Sequence, residues 1–498
     1  MAKSFIHYDT KNGIEYASIY TPGWSNGKKD NDIVYLGKVI DKKRGIFKNR
    51  SRGEFQYSLE NGFSYSTVNN TAILNEERLI LDFGDAYCLY EYLKSTPYLV
   101  LFENILPCEK GTVMSMLGYK VLSNGANCYA EDWWEGSYTS VLYPDAALKS
   151  QRISEFLKRL GDEGVQREFF RKYLSTAFDG EKEHGILIDS TGMPNAIDLP
   201  LTAVNTHGGK TTNEARLIFV VDKLTHMPLF FRYNAGNIVD VSTLVATISE
   251  LKAMGVRINN AILDAGYYSE INMKALHKAN IAYLTRVGPN RKLYKELANE
   301  HMNGIFQMKY TVIYNERVLY IKRVEKNIFG YNVFCYIIVD HARRSEETAR
   351  HLRDALDDRH KTPEDVDNEL KTKGMFVLLS SSQIETADIL PLYYTRQMIE
   401  QIFDITKNDV DLLPLRVHSE ITFRGHLMLT FLSTIICLLF QKALKLSEFS
   451  ASGAFTVLRN QKCKVFADRI IIKEATKKMC NILKMLGLTS PTTIPPVD

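Results

Sequence analysis

The chain has 498 residues, of which 45% are hydrophobic and 24% charged, so it is globular and too long for one ordinary core. Its formal net charge of +4 excludes a uniformly basic protein, so any nucleic-acid surface must come from local clustering. The seven cysteines are scattered without a CxxC pair, which argues against a zinc site or a disulfide framework and fits a reducing cytoplasm. The first residues lack the apolar core of a signal peptide, so we expect a cytoplasmic protein.

Residues 1–180 are predicted to form an α+β N-terminal region. Within it, residues 38–52 carry seven Lys or Arg against one Asp, a local net charge of +6. A basic segment of this kind can lie along a phosphate backbone, although an ordinary solvated loop is an equally good interpretation. Helices are predicted over residues 85–93 and 149–160. The candidate DNA-binding residues of the basic segment are Lys42, Lys43 and Arg44.

Two predicted strands in the next region end in carboxylates. The apolar run 186–188 is predicted as a strand that ends at Asp189. Two strands joined by a turn at residues 223–226, and then a helix over 242–254, precede a fourth strand that ends at Asp264. Either aspartate alone is more often a turn residue or a helix cap. If the first and fourth strands are neighbours, however, the two carboxylates can meet.

The segment between Asp264 and Glu400 is far longer than a direct strand-to-helix connection requires. Residues 306–340 have the pattern of several strands, and residues 345–358 that of a charged helix. We therefore predict a β-rich insertion over residues 293–372. An independent module without a DNA role is the alternative.

Residues 393–407 are predicted to form one helix with a polar stripe. At about 100° per residue, Tyr393, Arg396 and Lys407 fall within about 40° of Glu400, and the opposite side is apolar. A carboxylate flanked by a guanidinium, an ammonium and a phenol is suited to holding a metal ion while gripping phosphate oxygens. The alternative is an exposed helix with Arg–Glu pairing at i,i+4.

The remainder of the chain is predicted to be mainly helical. The apolar run 427–440 is shorter than the roughly 20 residues that span a bilayer, so it predicts a buried helix. For His418 and His426 a structural or phosphate-binding role is favoured over metal ligation, because carboxylates already supply a metal site. Residues 447–498 form a predicted helical tail, in which residues 459–478 carry seven basic against two acidic side chains, a net charge of +5.

Three motifs in this order resemble one known family. Tyr393, Arg396, Glu400 and Lys407 match Tyr-x2-Arg-x3-Glu-x6-Lys without a gap, the YREK signature of a group of bacterial insertion-sequence transposases. Asp189-Ser190-Thr191 resembles the first motif of that family, D-x-T, and Asp264-Ala265-Gly266-Tyr267 resembles the second, D-x-G-[FY]. The resemblance covers residues 185–440. It implies a DDE enzyme with an RNase H-like, mixed-sheet α/β catalytic core in two parts, residues 181–292 and 373–446.

The resemblance also implies the chemistry of cut-and-paste transposition. Asp189, Asp264 and Glu400 would hold two Mg²⁺ ions about 3.5–4 Å apart, with Mn²⁺ able to substitute. The site would hydrolyse a phosphodiester at a terminal inverted repeat and then transfer the freed 3′-hydroxyl to target DNA. The DNA-end phosphates would be positioned by Tyr393, Arg396 and Lys407. The N-terminal region would recognise the inverted repeats.

Assembly and the alternatives follow from what this reaction requires. Two ends must be joined to one target, yet the chain contains one Asp/Asp/Glu set and no internal repeat, so we expect a homodimer on paired DNA ends in the bacterial cytoplasm, associated with the nucleoid. The three carboxyl groups should lie within about 8 Å of one another. An RNase H-like nuclease or resolvase, or a domesticated DNA-binding protein without catalysis, remains the alternative.

Overall fold

The computed structural model divides into two compact units, which are described separately. The N-terminal unit contains residues 1–79 and 465–469, and the main unit contains residues 80–464 and 470–498. The region predicted as residues 1–180 is therefore shared between the two units. The structure describes residues 4–11, 13–25, 28–49, 53–60, 62–64, 79–123, 125–177, 183–195, 201–207, 210–238, 240–357, 362–410, 412–413, 415 and 417–495.

The N-terminal unit is an antiparallel meander in which each strand pairs with the next one along the chain. Its strands are β1 (Phe5–Lys11), β2 (Ile14–Ser25), β3 (Lys28–Asp41), β4 (Ile46–Asn49), β5 (Gly53–Ser58) and β6 (Gly62–Ser64). Alternation along the strands buries one row of apolar side chains, which forms the core of the unit. That core contains Ala17, Ile19, Leu36, Phe47 and Phe55.

The main unit begins with a strand and a helical layer. Its elements are β7 (Leu79–Asp82), α1 (Gly84–Lys94), α2 (Tyr98–Glu103), α3 (Lys110–Leu122), α4 (Ala130–Glu135), α5 (Thr139–Leu142), α6 (Ser150–Leu160) and α7 (Glu163–Ala177). Both helices predicted here from periodicity are present, as α1 and α6. The apolar side chains of α6 recur every three or four residues and are all buried, so one face of the helix packs into the core.

Ten strands of the described residues form one central sheet. They are β8 (Glu183–Pro194), β9 (Ala203–His207), β10 (Lys210–Asp222), β11 (Pro228–Ala235), β12 (Arg257–Leu263), β13 (Ala282–Val287), β14 (Thr311–Tyr314), β15 (Arg317–Ile328), β16 (Tyr331–Asp340) and β17 (Met375–Ser380). Their spatial order is β11-β10-β8-β12-β13-β17-β16-β15-β14, and β9 pairs with β10.

The first half of the sheet is mixed in direction. Strands β8, β10 and β11 are antiparallel neighbours, whereas β12 lies parallel between β8 and β13. The predicted adjacency of the first and fourth strands is thereby confirmed. Helices α8 (Leu244–Ala253) and α9 (Glu270–Lys278) make the crossovers that parallel strands need. This mixed α/β arrangement is consistent with an RNase H-like transposase core.

The strands of the predicted β-rich insertion extend the same sheet. β16 pairs antiparallel with β17, and β17 pairs antiparallel with β13. Residues 311–340 therefore share a continuous backbone hydrogen-bond network with the strands that carry the aspartates. The helices of this segment are α10 (Lys292–His301), α11 (His341–Asp357) and α12 (Pro363–Leu370).

The C-terminal elements surround one long buried helix. They are α13 (Ile389–Tyr394), α14 (Gln397–Asp404), a π-helical turn (Ile405–Asp409), α15 (Glu420–Ala443), α16 (Ala451–Leu458), β18 (Lys462–Val465), β19 (Ile470–Ile472), α17 (Lys477–Met485) and β20 (Thr493–Ile494). By length and composition α15 could cross a membrane, but 89% of its most apolar window is buried inside the protein. The run 427–440 is therefore a buried helix, as predicted.

Two glycines allow α6 and α15 to pack closely. A Cβ at Gly425 would lie 1.9 Å from the carbonyl oxygen of Leu157, and a Cβ at Gly161 would lie 2.0 Å from that of Ile421. Neither distance leaves room for a side chain, so backbone meets backbone at both positions.

The tail is not wholly helical, contrary to the prediction. Strands β18, β19 and β20 form a four-stranded sheet with β7 in the order β20-β19-β18-β7. The isoleucine run 470–472 favours a strand, but β7 lies far away in the sequence. A local pattern therefore could not indicate the sheet that holds the tail.

Candidate active site

Asp189 lies within β8 rather than at its end, which corrects the prediction. β8 continues to Pro194 because β10 pairs with it on one side, and Asp189 lies opposite Phe219. The parallel partner β12 reaches only as far as Ile188, so the strand is uncovered on that side from Asp189 onward. The carboxylate is mostly buried and its Oδ1 accepts a hydrogen bond of 2.8 Å from the Ser190 N–H.

Asp264 directly follows β12, as predicted, and begins a short turn over residues 265–267. The Thr285 hydroxyl on β13 donates a 3.1 Å hydrogen bond to its backbone carbonyl, which holds the end of the strand. Because β8 and β12 are parallel neighbours, Asp189 and Asp264 both lie where the pairing of the two strands ends. The Asp264 side chain is 40% exposed and can be reached from solvent.

The helix that carries Glu400 is interrupted, so the prediction of one continuous helix over residues 393–407 is wrong. The Arg396 N–H bonds to the Tyr393 carbonyl at 3.2 Å and the Ile399 N–H to the Arg396 carbonyl at 2.9 Å, a tighter turn than an α-helix. Lys407 lies in the wider π-helical turn that follows α14. π-helical turns of this kind are frequent at functional sites.

Arg396 contacts all three carboxylates. Its Nη1 lies 2.6 Å from Asp189 Oδ2 and 3.5 Å from Asp264 Oδ1, and its Nη2 lies 3.4 Å from Glu400 Oε1. The two aspartate oxygens contact one nitrogen, so they are no farther apart than the sum of the first two distances. Burial lowers the pKa of Arg396, but the charges of Asp189, Asp264 and Glu400 outweigh that effect and the pKa is raised.

Lys407 is fixed to the strand that carries Asp189. Its Nζ donates a 2.6 Å hydrogen bond to the hydroxyl of Thr191, which lies two residues beyond Asp189 on the same face of β8. Burial lowers the pKa of Lys407, although the charges of Asp404 and Glu214 oppose the shift. Thr191 appears in the motif found from the sequence, which gave it no role.

The Tyr393 side chain is buried and does not form part of an exposed polar stripe. It belongs to α13, is 5% exposed, and its ring centroid lies 5.8 Å from the Arg396 guanidinium carbon. Burial raises the pKa of Tyr393 to about 12, so the phenol stays protonated. The predicted stripe placed this side chain beside Glu400 because it assumed an unbroken helix.

A second charged pair beside Asp189 was missed by the sequence analysis. Arg216 on β10 lies 3.8 Å from Glu214 and donates a 2.5 Å hydrogen bond from Nη2 to the Ser190 hydroxyl. A Cβ at Gly192 would lie 2.4 Å from the Glu214 carboxylate, so glycine makes room for it. The one feature of the sequence that points to this pair is the Glu-x-Arg pattern of Glu214 and Arg216, which directly precedes the apolar part of β10.

The predicted basic residues belong to the N-terminal unit. Lys42 pairs with Glu15, and its Nζ lies 4.1 Å from the centroid of the Tyr8 ring, so its charge is partly compensated. Lys43 and Arg44 lie in the exposed turn between β3 and β4. Their backbone N–H groups donate hydrogen bonds of 3.0 Å and 3.1 Å to the Asp41 carboxylate. Residues 50–52 of the basic segment lie outside the described residues.

The donor chemistry of the three carboxylates fits a divalent metal. Mg²⁺ prefers carboxylate oxygens, and Asp264 and Glu400 are 40% and 57% exposed at their side chains. Nevertheless, no group of three or more His, Cys, Asp or Glu in the described part of the chain is arranged to hold a metal ion. The three carboxylates are organised around the Arg396 guanidinium.

The segment that carries the three carboxylates was compared with known protein families and structures. A family model described as transposase DDE domain matches residues 180–436, more than half of the chain, and includes all three carboxylates. No curated protein matches. Among solved structures, a piggyBac transposase synaptic complex with hairpin DNA has a TM-score of 0.39 and 9% identity, covering 84% of this chain and 83% of that one.

Proposed function

Since the chain belongs to the family of transposase DDE domains, we propose that it is an insertion-sequence transposase of the YREK group. In this proposal it cuts DNA at terminal inverted repeats and joins the freed 3′-hydroxyl to a target. The observation that carries the proposal is the contact of one guanidinium with Asp189, Asp264 and Glu400.

Gathering three carboxylates in one place is costly, because like charges repel and burial removes their hydration. Asp189, Asp264 and Glu400 come from β8, from the end of β12 and from α14, so no single local element brings them together. A structural role would need only one ion pair. The collection of all three at a partly exposed edge therefore supports catalysis.

Each side chain of the site then has a role. Asp189, Asp264 and Glu400 would hold divalent metal, which when bound supplies Lewis-acid stabilisation of charge on phosphorus and an activated nucleophile. Lys407 and Arg396 carry donors suited to DNA phosphates. Tyr393, protonated because its pKa is about 12, can only donate to such an oxygen.

The partners and location follow from the same proposal. The partner is double-stranded DNA, both at the terminal repeats and at the target, and the active form is a homodimer on paired ends. The N-terminal unit, with the exposed turn that carries Lys43 and Arg44, contributes to end binding. The protein acts in the bacterial cytoplasm at the nucleoid.

A joining assay tests this function. The purified chain is incubated with Mg²⁺, a supercoiled target and a duplex that ends in the inverted repeat found beside its gene. We expect nicking at the repeat and covalent transfer of its 3′-end to the target, both lost with EDTA. Cleavage without any joined product would favour the nuclease or resolvase, and specific binding without cleavage would favour a domesticated DNA-binding protein.

A further inference from the structure

A cavity of about 360 Å³ lies beside α11, where β13 ends and β17 begins. Four of its lining side chains are Lys or Arg and two are Asp or Glu, a net charge of +2 with histidine counted as neutral. The basic ones are Arg286, Arg343, Arg350 and Lys373, and the acidic ones are Glu347 and Asp354. A cavity of this size and charge is suited to a small negatively charged group.

Three of the basic side chains form no ion pair in the part of the chain that the structure describes, namely Arg286, Arg350 and Lys373. The fourth, Arg343, lies 2.6 Å from Glu347, which also accepts a 2.7 Å hydrogen bond from the Gly374 N–H. Burial raises the pKa of Glu347, but the hydrogen bonds from Gly374 and Arg343 outweigh it and the pKa is lowered. The other carboxylate of the cavity, Asp354, is exposed, so the charge left over is positive.

The cavity lies at the same edge of the sheet as the proposed metal ligands. One row of paired residues crosses three strands that run in the same direction, β8, β12 and β13, and consists of Ile188, Leu263 and Thr285. The next residues along the three strands are Asp189, Asp264 and Arg286. Because neighbouring strands lie about 4.8 Å apart, the backbone of Arg286 is one strand spacing from that of Asp264.

The charge of Arg286 reaches the proposed active site. Burial raises the pKa of Tyr393, Asp264 raises it further and Arg286 opposes the shift, so both charges act on that phenol. On the other side of the carboxylates, Lys407 is bonded to Thr191 of β8. Positive side chains therefore flank the carboxylates on the β8 side and on the β13 side. A DNA strand that crosses the site needs phosphate contacts on both sides.

We propose that the cavity binds a phosphate group of the flanking DNA, the strand that continues past the scissile phosphodiester. This rests on the proposed function, because it places the scissile phosphodiester at the three carboxylates. Arg286 and Arg350 present guanidinium groups that match phosphate oxygens, and Lys373 adds a further positive charge. The flanking DNA is held on the β13 side of the site, while Lys407 contacts DNA on the β8 side.

Binding without metal tests the cavity separately from catalysis. The full-length chain is titrated in EDTA with two duplexes, one that ends at the tip of the inverted repeat and one that continues for about one helical turn of flanking sequence. The wild-type protein should bind the longer duplex about tenfold more tightly, because it contacts additional phosphates. Arg350→Gln with Lys373→Gln should lower this ratio to about twofold or less and leave affinity for the shorter duplex unchanged.

A matched control removes two charges from the same two segments. Arg353 is exposed on α11, Lys371 is exposed directly after α12, and neither lines the cavity. Arg353→Gln with Lys371→Gln should keep the tenfold ratio. Salt dependence gives a second readout for the longer duplex. The slope of log K against log[salt] should become shallower by about 1.8 in the cavity variant, since each phosphate contact contributes about 0.9, and should not change in the control.

Joining of a pre-cut repeat end shows whether the target strand uses the same cavity. A wild-type joining rate in the cavity variant confines the contact to flanking DNA, whereas a rate about tenfold lower extends it to the target. Failure of the wild-type protein to join, with the preference for the longer duplex intact, would contradict transposition but not the cavity assignment. The assignment is overturned if the wild-type protein binds both duplexes equally, if the cavity variant keeps the ratio, or if the control variant loses it to the same extent.

Discussion

Lys407 Nζ donates a 2.6 Å hydrogen bond to Thr191 Oγ1 across 216 positions of the chain, so the π-helical turn after α14 is attached to the strand that carries Asp189. This contact joins the last residue of the Tyr/Arg/Glu/Lys motif to the first aspartate motif. A small substitution at Thr191 can remove this contact without changing any charge.

Thr191→Val should lower the rate of DNA cleavage about 10- to 100-fold. A hydrogen bond to a charged group contributes about 1.5–3 kcal/mol, and valine keeps the shape of threonine without its hydroxyl. Single-turnover cleavage of a terminal-repeat duplex measures the effect. Thr191→Ser, which retains the hydroxyl, should stay close to wild type. Equal rates for the valine and wild-type proteins would show that the contact has no catalytic role.

DNA binding should depend on pH through Lys407. Only the charged ammonium binds phosphate, so affinity is present below the pKa of Lys407 and is lost as pH rises through it. Burial lowers this pKa from the usual 10.5, so the loss should begin at a lower pH than for an exposed lysine. Binding titrations between about pH 7 and 10 measure it. Lys407→Arg should remove this pH dependence, and its persistence in that variant would assign it to another group.

Glu400→Gln should abolish cleavage and joining while leaving DNA-end binding within about threefold of wild type. Glutamine keeps the size of the side chain but removes the charge that would hold metal, whereas phosphate contacts supply affinity. Gel-shift and cleavage assays on one preparation separate the two effects. Glu385→Gln, a carboxylate whose side chain is 72% exposed, is the matched control. Near-normal cleavage by Glu400→Gln would end its assignment as a metal ligand.

Arg396→Ala should change the affinity for metal and the affinity for DNA ends in opposite directions. The Arg396 guanidinium contacts the same oxygens that a metal needs, so we expect the variant to bind Mn²⁺ about tenfold more tightly. Because the variant also lacks a phosphate-binding cation, we expect it to bind DNA ends about tenfold more weakly. Electron paramagnetic resonance of free Mn²⁺ gives the first value, and a gel shift gives the second. Arg232→Ala, which breaks a pair with Glu250 elsewhere, should change neither. Weaker Mn²⁺ binding would mean that Arg396 supports the metal site.

Gly425→Ala should destabilise the main unit by about 1–3 kcal/mol, because its Cβ would lie 1.9 Å from the Leu157 carbonyl oxygen and force α6 and α15 apart. The gain of roughly 1 kcal/mol from replacing glycine inside a helix offsets only part of the clash between the two backbones. Chemical denaturation measures the change. Gly304→Ala, where a Cβ meets nothing within 4 Å, should be nearly neutral.

Much of the site could be predicted because its parts obey local rules. Asp264 follows a short apolar run, residues 261–263, and the hairpin turn at residues 223–226 separates two apolar runs, so pattern alone indicated both. The adjacency of β8 and β12 is confirmed, as is membership of a DDE transposase family. The YREK group, the metal ligands and the domain roles stay predictions.

The remaining features depend on contacts that no local pattern contains. The π-helical turn that ends the segment over residues 393–407 is accompanied by a hydrogen bond of 2.6 Å from the Thr406 hydroxyl to the Ile402 carbonyl and by a 3.2 Å contact with Thr434 on α15. Arg396 contacts Asp189 from a part of the chain 207 positions away, at the residue of β8 that directly follows its last pairing with β12. Periodicity gives the face of a helix, but not where tertiary hydrogen bonds change its pitch.

The close packing of α6 against α15 has a consequence for how the protein is made. The ribosome completes residues 150–160 long before residues 420–443, and chains begin to fold from the N-terminus during synthesis. Until α15 emerges, the apolar face of α6 lacks its partner, and Thr406 in the π-helical turn lacks its contact with Thr434. A copy of the gene interrupted by a stop codon after residue 407 would encode every residue proposed to be catalytic yet yield a chain with exposed apolar surface, which chaperones and proteases would remove.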